Sequence, residues 1–270
     1  MNALLPQRVV EKPWGVEHLP PPFVAHPAAA IGEIWFEPPP ALPDLLVKYI
    51  FTSEALSVQV HPSDAETLAA GLGRQGKEEC WLVIDAEPGA RLGIGFREPL
   101  DTGAMRQAAL DGSIEQLMQW HSVSAGDFFY IPAGTVHAIG AGISLIEVQQ
   151  NSDITYRLYD YGRPRELHLE QGLMVAHGTP YDARHFRRIG AKETARLVDG
   201  PLFRLDQIAG IPSAGTLEAY ASGPLLILPR SGQCSVGGET VLAGGCAVAP
   251  DRGAIAFDHD SVCLIAQPIT

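Results

Sequence analysis

One turn-bounded run, Gly126-x5-Pro132-x-Gly134-x2-His137 (GDFFYIPAGTVH), restricts what this chain can fold into more than any other feature. Proline fixes φ and glycine admits φ > 0, so Gly126 and Pro132–Gly134 bracket a short apolar strand over 128–131. The turn then delivers His137 at the start of the next strand. Upstream, LSVQVHP at 56–62 is strand-like. Residues i and i+2 of a strand share a face, so Gln59 and His61 aim into one cavity while Val58 and Val60 point away. With Glu79 between the two motifs, three strands of one β-barrel would supply two imidazoles, a carboxylate and an amide oxygen. That set suits a single Zn²⁺, with Mn²⁺, Fe²⁺ or Co²⁺ as alternatives.

Periodicity alone does not decide between Glu78 and Glu79. Glu78 shares a face with Cys80, Leu82 and Ile84, the better apolar stripe, which leaves Glu79 and Lys77 for a polar cavity.

The rest of the chain fits a β-rich protein. Its 22 Pro and 28 Gly punctuate short strands, expected at 14–19, 31–36, 45–51, 55–61, 78–84, 91–96, 127–131, 143–149 and 155–159. Ser63-x-x-Glu66 is a capping box for a short helix. Residues 101–120 read as helical, broken at Asp111–Gly112, with Ser113-x-x-Gln116 a second box; 168–177 is a helical link. From about 185 short strands resume at 203–208, 225–228, 233–236, 247–249 and 262–267. The expected architecture is therefore mainly β, a jelly-roll barrel with short helical insertions and a second, smaller β unit. The division is a metal-binding catalytic domain over 1–180 and a β domain without metal over 185–270, since 230–250 echoes the turn-and-strand layout of the first motif but carries no QxH and no second His.

A formal charge of −12 argues against nucleic acid or an anionic membrane surface as partner. A small anionic substrate would need its own cluster of Lys and Arg. MNALLPQRVVEKPWG lacks a signal-like apolar core, no stretch has the length of a membrane span, and the four cysteines form neither CxxC pairs nor a disulfide framework. The expectation is a reduced, cytoplasmic protein.

The chain resembles the class I mannose-6-phosphate isomerases of the cupin superfamily, in particular their short bacterial form. The resemblance is carried by KPWG, GEIW (32–35), LSVQVHPSD (56–64), GKEECWLVIDAEPGA (76–90), GDFFYIPAGTVHAIG (126–140), EVQQNSDITYRLYDYGR (147–163) and RELHLEQ (165–171), in order over about 12–175. It implies a cupin barrel, a degenerate cupin-like second unit, and a metal set Gln59, His61, Glu79 and His137. It also implies a site lysine at Lys77, a catalytic arginine at Arg157, a site glutamate at Glu147, and pocket residues Lys48 and Ser57. The activity implied is metal-dependent interconversion of mannose 6-phosphate and fructose 6-phosphate, with Glu147 as base, Lys77 as alternate or shuttle, and Arg157 on the developing oxyanion.

Other readings are another cupin sugar isomerase, a metal dioxygenase, against which the Gln59 ligand argues, and a non-catalytic sugar-binding cupin, which would be expected to have lost a ligand or Arg157. Arg163 and Arg165 are expected as solvated turn charges and Arg184–Arg188 as an exposed edge. Trp14, Trp35 and Trp81 are expected to pack at the core or barrel mouth, and His26, His121, His177, His185 and His259 to be structural.

Overall fold

The computed structural model describes residues 3–24, 29–213, 215–220 and 222–269, so His26 lies outside the described residues. The alternation of apolar residues along the strands produces two stacked sandwiches. In the first, a seven-stranded sheet runs in the order Gln7–Val16, Ile31–Phe36, Leu45–Thr52, Ile143–Gln150, Glu79–Ala86, Asp127–Ile131, Phe186–Arg188. It faces a five-stranded sheet ordered Tyr156–Tyr159, Val58–Val60, His137–Ile139, Arg91–Phe96, Met118–Ser122. The second sandwich pairs a five-stranded sheet (Ala195–Asp199, Phe203–Ala209, Val262–Pro268, Leu225–Ser231, Ala247–Ala249) with a three-stranded one (Glu239–Leu242, Gln233–Val236, Ile255–Phe257). The molecule is mainly β with a jelly-roll barrel, as expected.

Period 2 decides which side each residue serves. Along Ile143–Gln150, Ile143 and Leu145 pack inside the barrel with Trp81, Val83 and Phe129. Ile146 and Val148 face out and join Tyr49, Phe51, Cys80 and Leu82 against Leu205, Leu226 and Leu264 of the C-terminal sheet. The middle strands of the seven-stranded sheet are thus buried on both faces. Glu147 and Lys48, cross-strand partners, are held on the inner one.

Several expectations need correction. The first strand is Gln7–Val16, not 14–19; its pairing with Ile31–Phe36 slips at Glu11, beside Lys12–Pro13, and the strand tolerates the proline because it is an edge. Helix does not reach residue 120. It stops at Asp111 on left-handed Gly112 (φ 81°), resumes at Ile114–Leu117, and Met118–Ser122 then completes the sheet edge. Gly93 sits opposite Trp120, where a Cβ would lie 3.2 Å from the indole, so the glycine gives the ring its seat. The second capping box is absent, since Ser113 makes no side-chain cap bond, whereas both halves of the Ser63–Glu66 box form. Phe186–Arg188 pairs with Asp127–Phe129, so this exposed segment is a strand of the first sheet rather than part of the unit that follows.

Candidate metal centre

Three short elements bring the ligand candidates together. Gln59 occupies the middle of Val58–Val60, with Val58 and Val60 buried on the opposite side. It is paired with His137 on one neighbouring strand and Arg157 on the other. His61 follows directly, and Glu79 opens the Glu79–Ala86 strand. His137 comes off the Pro132–Gly134 turn, where Gly134 has φ 79° and a Cβ would lie 2.5 Å from the His177 ring. His177 packs under that turn.

The donor atoms of His61, Glu79 and His137, all buried, lie within 4.8 Å of one another. Nδ1 of His61 stands 2.9 Å from the Ile154 carbonyl, and Nδ1 of His137 stands 2.9 Å from that of Thr135. Each carbonyl accepts the Nδ1 proton and so leaves Nε2 unprotonated, its lone pair turned toward the cluster. Those Nε2 atoms are 3.5 Å and 3.4 Å from the two Glu79 oxygens. Burial first, then the Lys77 and His137 charges, push His61 well below its ordinary value; burial pushes His137 down to about 4. Both rings are thereby kept neutral at neutral pH, the form in which an imidazole can ligate a metal. Glu79 Oε1 is buried without a hydrogen-bond partner, an orphan that a cation would satisfy. Gln59 sits 3.2 Å from His137 Nε2 through its amide nitrogen, while its Oε1 accepts from Ser57 Oγ at 3.2 Å. The amide is two-fold in shape, so a half turn presents oxygen instead. The donor set therefore fits a divalent ion.

Lys77 Nζ lies 3.0 Å from His61 Nε2 and donates to Glu79. Burial alone would lower its pKa, but the Glu79 and Glu147 carboxylates outweigh that and raise it, so it remains an ammonium. Lys48 donates to Gln149 at 2.6 Å, stands 3.1 Å from Glu147 Oε1, and sits 4.4 Å over the Trp35 ring. Trp81 Nε1 donates to Glu147 Oε2 at 3.1 Å. Burial would raise Glu147, yet the Lys48 and Lys77 charges, with hydrogen bonds from Lys48 and Trp81, more than offset it and hold the carboxylate below its ordinary range. It is ionised across the neutral range.

Gln59, Lys77, Glu147, Lys48, Ser57 and Arg157 all line one cavity of about 330 Å³. Its wall carries five cations (Lys12, Lys48, Lys77, Arg157, Arg165) against three carboxylates (Glu33, Glu147, Asp153). This is a local positive excess in a chain of net charge −12. Glu78, by contrast, points to the other face and accepts from the Tyr130 hydroxyl.

Sequence reasoning missed part of this wall. Arg165 is no free turn charge: together with Arg163 it pairs with Asp160, 2% exposed, and it also borders the cavity. Thr155, Asp153 and His168 come from loops with no period to reveal them. Glu33 and Trp35 did have a signal. They alternate with apolar Ile34 and Phe36, and Trp35 pairs with Lys48 across the sheet. Trp35 Nε1 donates to Glu33 at 2.5 Å, and Lys12 pairs with the same carboxylate at 3.4 Å.

No family model matches the chain. It is 38% identical over 206 residues to the mannose-6-phosphate isomerase of Streptococcus mutans serotype c, covering 72% of this chain and 64% of that protein. The chain thus spans a little under two thirds of that relative. Against the probable mannose-6-phosphate isomerase GmuF of Bacillus subtilis it is 33% identical over 214 residues, covering 73% of this chain and 68% of the relative. The fold is that of the crystal structure of the mannose 6-phosphate isomerase from Bacillus subtilis, with TM-score 0.78 at 22% identity over 98% of this chain and 99% of that one. With the cavity and its donor set carried on that fold, and with identity extending over two thirds of a relative, the chain belongs to the mannose-6-phosphate isomerase family.

Proposed function

We propose that the protein is a metal-dependent aldose–ketose isomerase interconverting mannose 6-phosphate and fructose 6-phosphate. The observation that carries this reading is the shared cavity, in which an ionised carboxylate, an ammonium and a guanidinium face the same space beside a neutral-imidazole metal cluster. The cation held by Gln59, His61, Glu79 and His137 would be one Zn²⁺ per chain. When bound it would supply Lewis-acid polarisation of the substrate oxygens.

The chain's own groups would do the rest. Glu147 would carry the proton between C1 and C2. Paired with Lys48 it is a weak base, and its basicity would rise once Lys48 turns to a substrate oxygen and releases it. Lys77, kept charged by its carboxylate neighbours, would donate rather than abstract. Arg157 would steady the enediolate oxygen, and Arg165, with the Ser57 hydroxyl and the His168 ring nearby, would receive the phosphate. The same reading assigns catalysis to the first unit, expected over 1–180 and extended by the Phe186–Arg188 strand, and leaves the remainder of 185–270 as a metal-free unit. Four free, buried cysteines among the described residues support a reducing, cytoplasmic setting.

A coupled assay should turn mannose 6-phosphate into a fructose 6-phosphate signal that chelator abolishes and added Zn²⁺ restores. Inactivity of fully metallated protein would sink the proposal. Glu147→Gln should keep metal and substrate affinity while turnover and solvent-deuterium exchange at the substrate carbon both fall by roughly 10²–10⁴. Unchanged exchange would move the base role elsewhere.

A further inference from the structure

A second cavity, of about 390 Å³, opens on the opposite face of the seven-stranded sheet, where that sheet meets the C-terminal unit. Tyr49, adjacent to Lys48 on one strand, and Ile146, adjacent to Glu147 on another, form its floor; Arg230 and Ser231 come from the C-terminal sheet, and Pro20–Pro22 with Phe23 form a wall.

Arg230 is the unusual member. It sits where the pairing of Leu225–Ser231 with Val262–Pro268 slips by one residue. One arm donates to Gln207 Oε1, and the Gln207 amide is itself fixed by the carbonyls of Gly190 and Glu193 at 3.0 Å and 2.7 Å. The guanidinium is therefore locked in place by a neutral partner. Its Nε is buried with no hydrogen-bond partner, and no carboxylate lies within ion-pair distance of it among the described residues. Arg188 and Arg196, in contrast, meet buried Asp127 and Asp206 at 2.7 Å and 3.1 Å. The Tyr49 hydroxyl also has no hydrogen-bond partner among the described residues. The exposed Asp85 lines the cavity too, without pairing with Arg230. Arg230 is half-buried, and a cation partly withdrawn from water with no counter-charge is costly unless something supplies one. A concave site with apolar walls and a few polar groups is the usual form of a small-molecule pocket.

We propose that this cavity binds a small organic carboxylate, its oxygens on Arg230 and the Tyr49 hydroxyl and its apolar body against Phe23, Ile84 and Ile146. The bound anion would sit one sheet thickness from Lys48 and Glu147, yet share no residue with the sugar-phosphate cavity.

The test is calorimetric titration of the full chain with benzoate at fixed ionic strength, without and with saturating mannose 6-phosphate. Saturable binding of one benzoate per chain is expected, with Kd on the order of 1 mM. Arg230→Met should weaken it about 10- to 100-fold, the loss of a charged hydrogen bond. Ile84→Trp, which fills the cavity and keeps Arg230, should abolish it and decides the matter if Arg230→Met does not fold. The proposal is overturned by no saturable binding to the unaltered protein, by equal affinity in either folded variant, by competition from mannose 6-phosphate, or by inorganic phosphate binding as well as benzoate does.

Discussion

The two sandwiches share an architecture and differ in what their inner faces bury. The first seals Lys48, His61, Lys77, Glu79, His137, Glu147 and Gln149 inside the barrel, each no more than 5% exposed. The second fills its interior with Ile208, Tyr220, Ile227, Cys234, Val241, Cys263 and Ile265. Buried charges are tolerated in the first because they compensate one another, ammonium against carboxylate and imidazole against backbone carbonyl. Among the described residues, no second group of His, Cys, Asp or Glu has metal-site geometry. Whether a sandwich interior is polar or apolar thus depends on which residues occupy its inward positions. The C-terminal sheet packs behind the sheet that carries Lys48, Glu79 and Glu147, so the apolar unit braces the polar one.

The strongest way to break this contrast is to count ions. Metal analysis of unchelated protein should find about one divalent ion per chain, and His137→Ala should lose nearly all of it, because three remaining ligands leave the coordination sphere open. Cys234→Ala in the second core should lose none. Two ions per chain would mean that the second sandwich is not inert, and a full ion count in His137→Ala would mean that His137 is not a ligand.

Next in size is the separation of chemistry from metal binding. Arg157 lines the cavity and stands in register with Gln59, and its Nε donates to the Glu166 carbonyl at 2.9 Å. It is not one of the ligand candidates. Arg157→Ala should keep the full metal content and melting temperature while kcat falls by roughly 10²–10³, the usual loss for one oxyanion-stabilising donor. Near-normal turnover would return Arg157 to the status of a surface arginine.

What could be read from the sequence follows the same division. Strand period told that Gln59 rather than Val58 turns inward, because a one-residue error would bury the wrong row. Glu79, by contrast, is separated from Glu78 only by the apolar stripe that Glu78 shares with Cys80, Leu82 and Ile84. Turn chemistry placed His137. Loop residues carry no such period, which is why Arg165, Thr155 and His168 stayed hidden and Arg165 was expected in solvent. Residues 118–120, helical by their apolar spacing, are instead part of the Met118–Ser122 strand because an open sheet edge beside Gly93 decides between two states that the spacing suits equally. The cross-strand register that sets Trp35 beside Lys48 depends on pairing between distant segments, which no local pattern encodes.

The smallest expected effect tests whether local order in the first sandwich serves its centre. Ser63 caps the Asp64–Ala69 helix two residues after His61, its N–H donating to Glu66 Oε2 at 2.8 Å. The first residue of that helix, Asp64, accepts from Gly76 N–H at 2.7 Å and from Gln150 at 2.8 Å, which ties the segment after His61 to the one before Lys77. Asp251 is a counterpart in the second sandwich, capping a short turn through Gly253 N–H at 2.7 Å. Ser63→Ala and Asp251→Ala should each cost about 1 kcal/mol of unfolding free energy in a denaturant titration. Their consequences should then diverge. Loosening the cap beside His61 frees a ligand that the metal needs held, so Ser63→Ala should release metal to a chelator several-fold faster, while Asp251→Ala should leave that rate unchanged. Equal release rates in the two variants would show that the capping box merely starts a helix, and that His61 is held by the Ile154 carbonyl and the sheet alone.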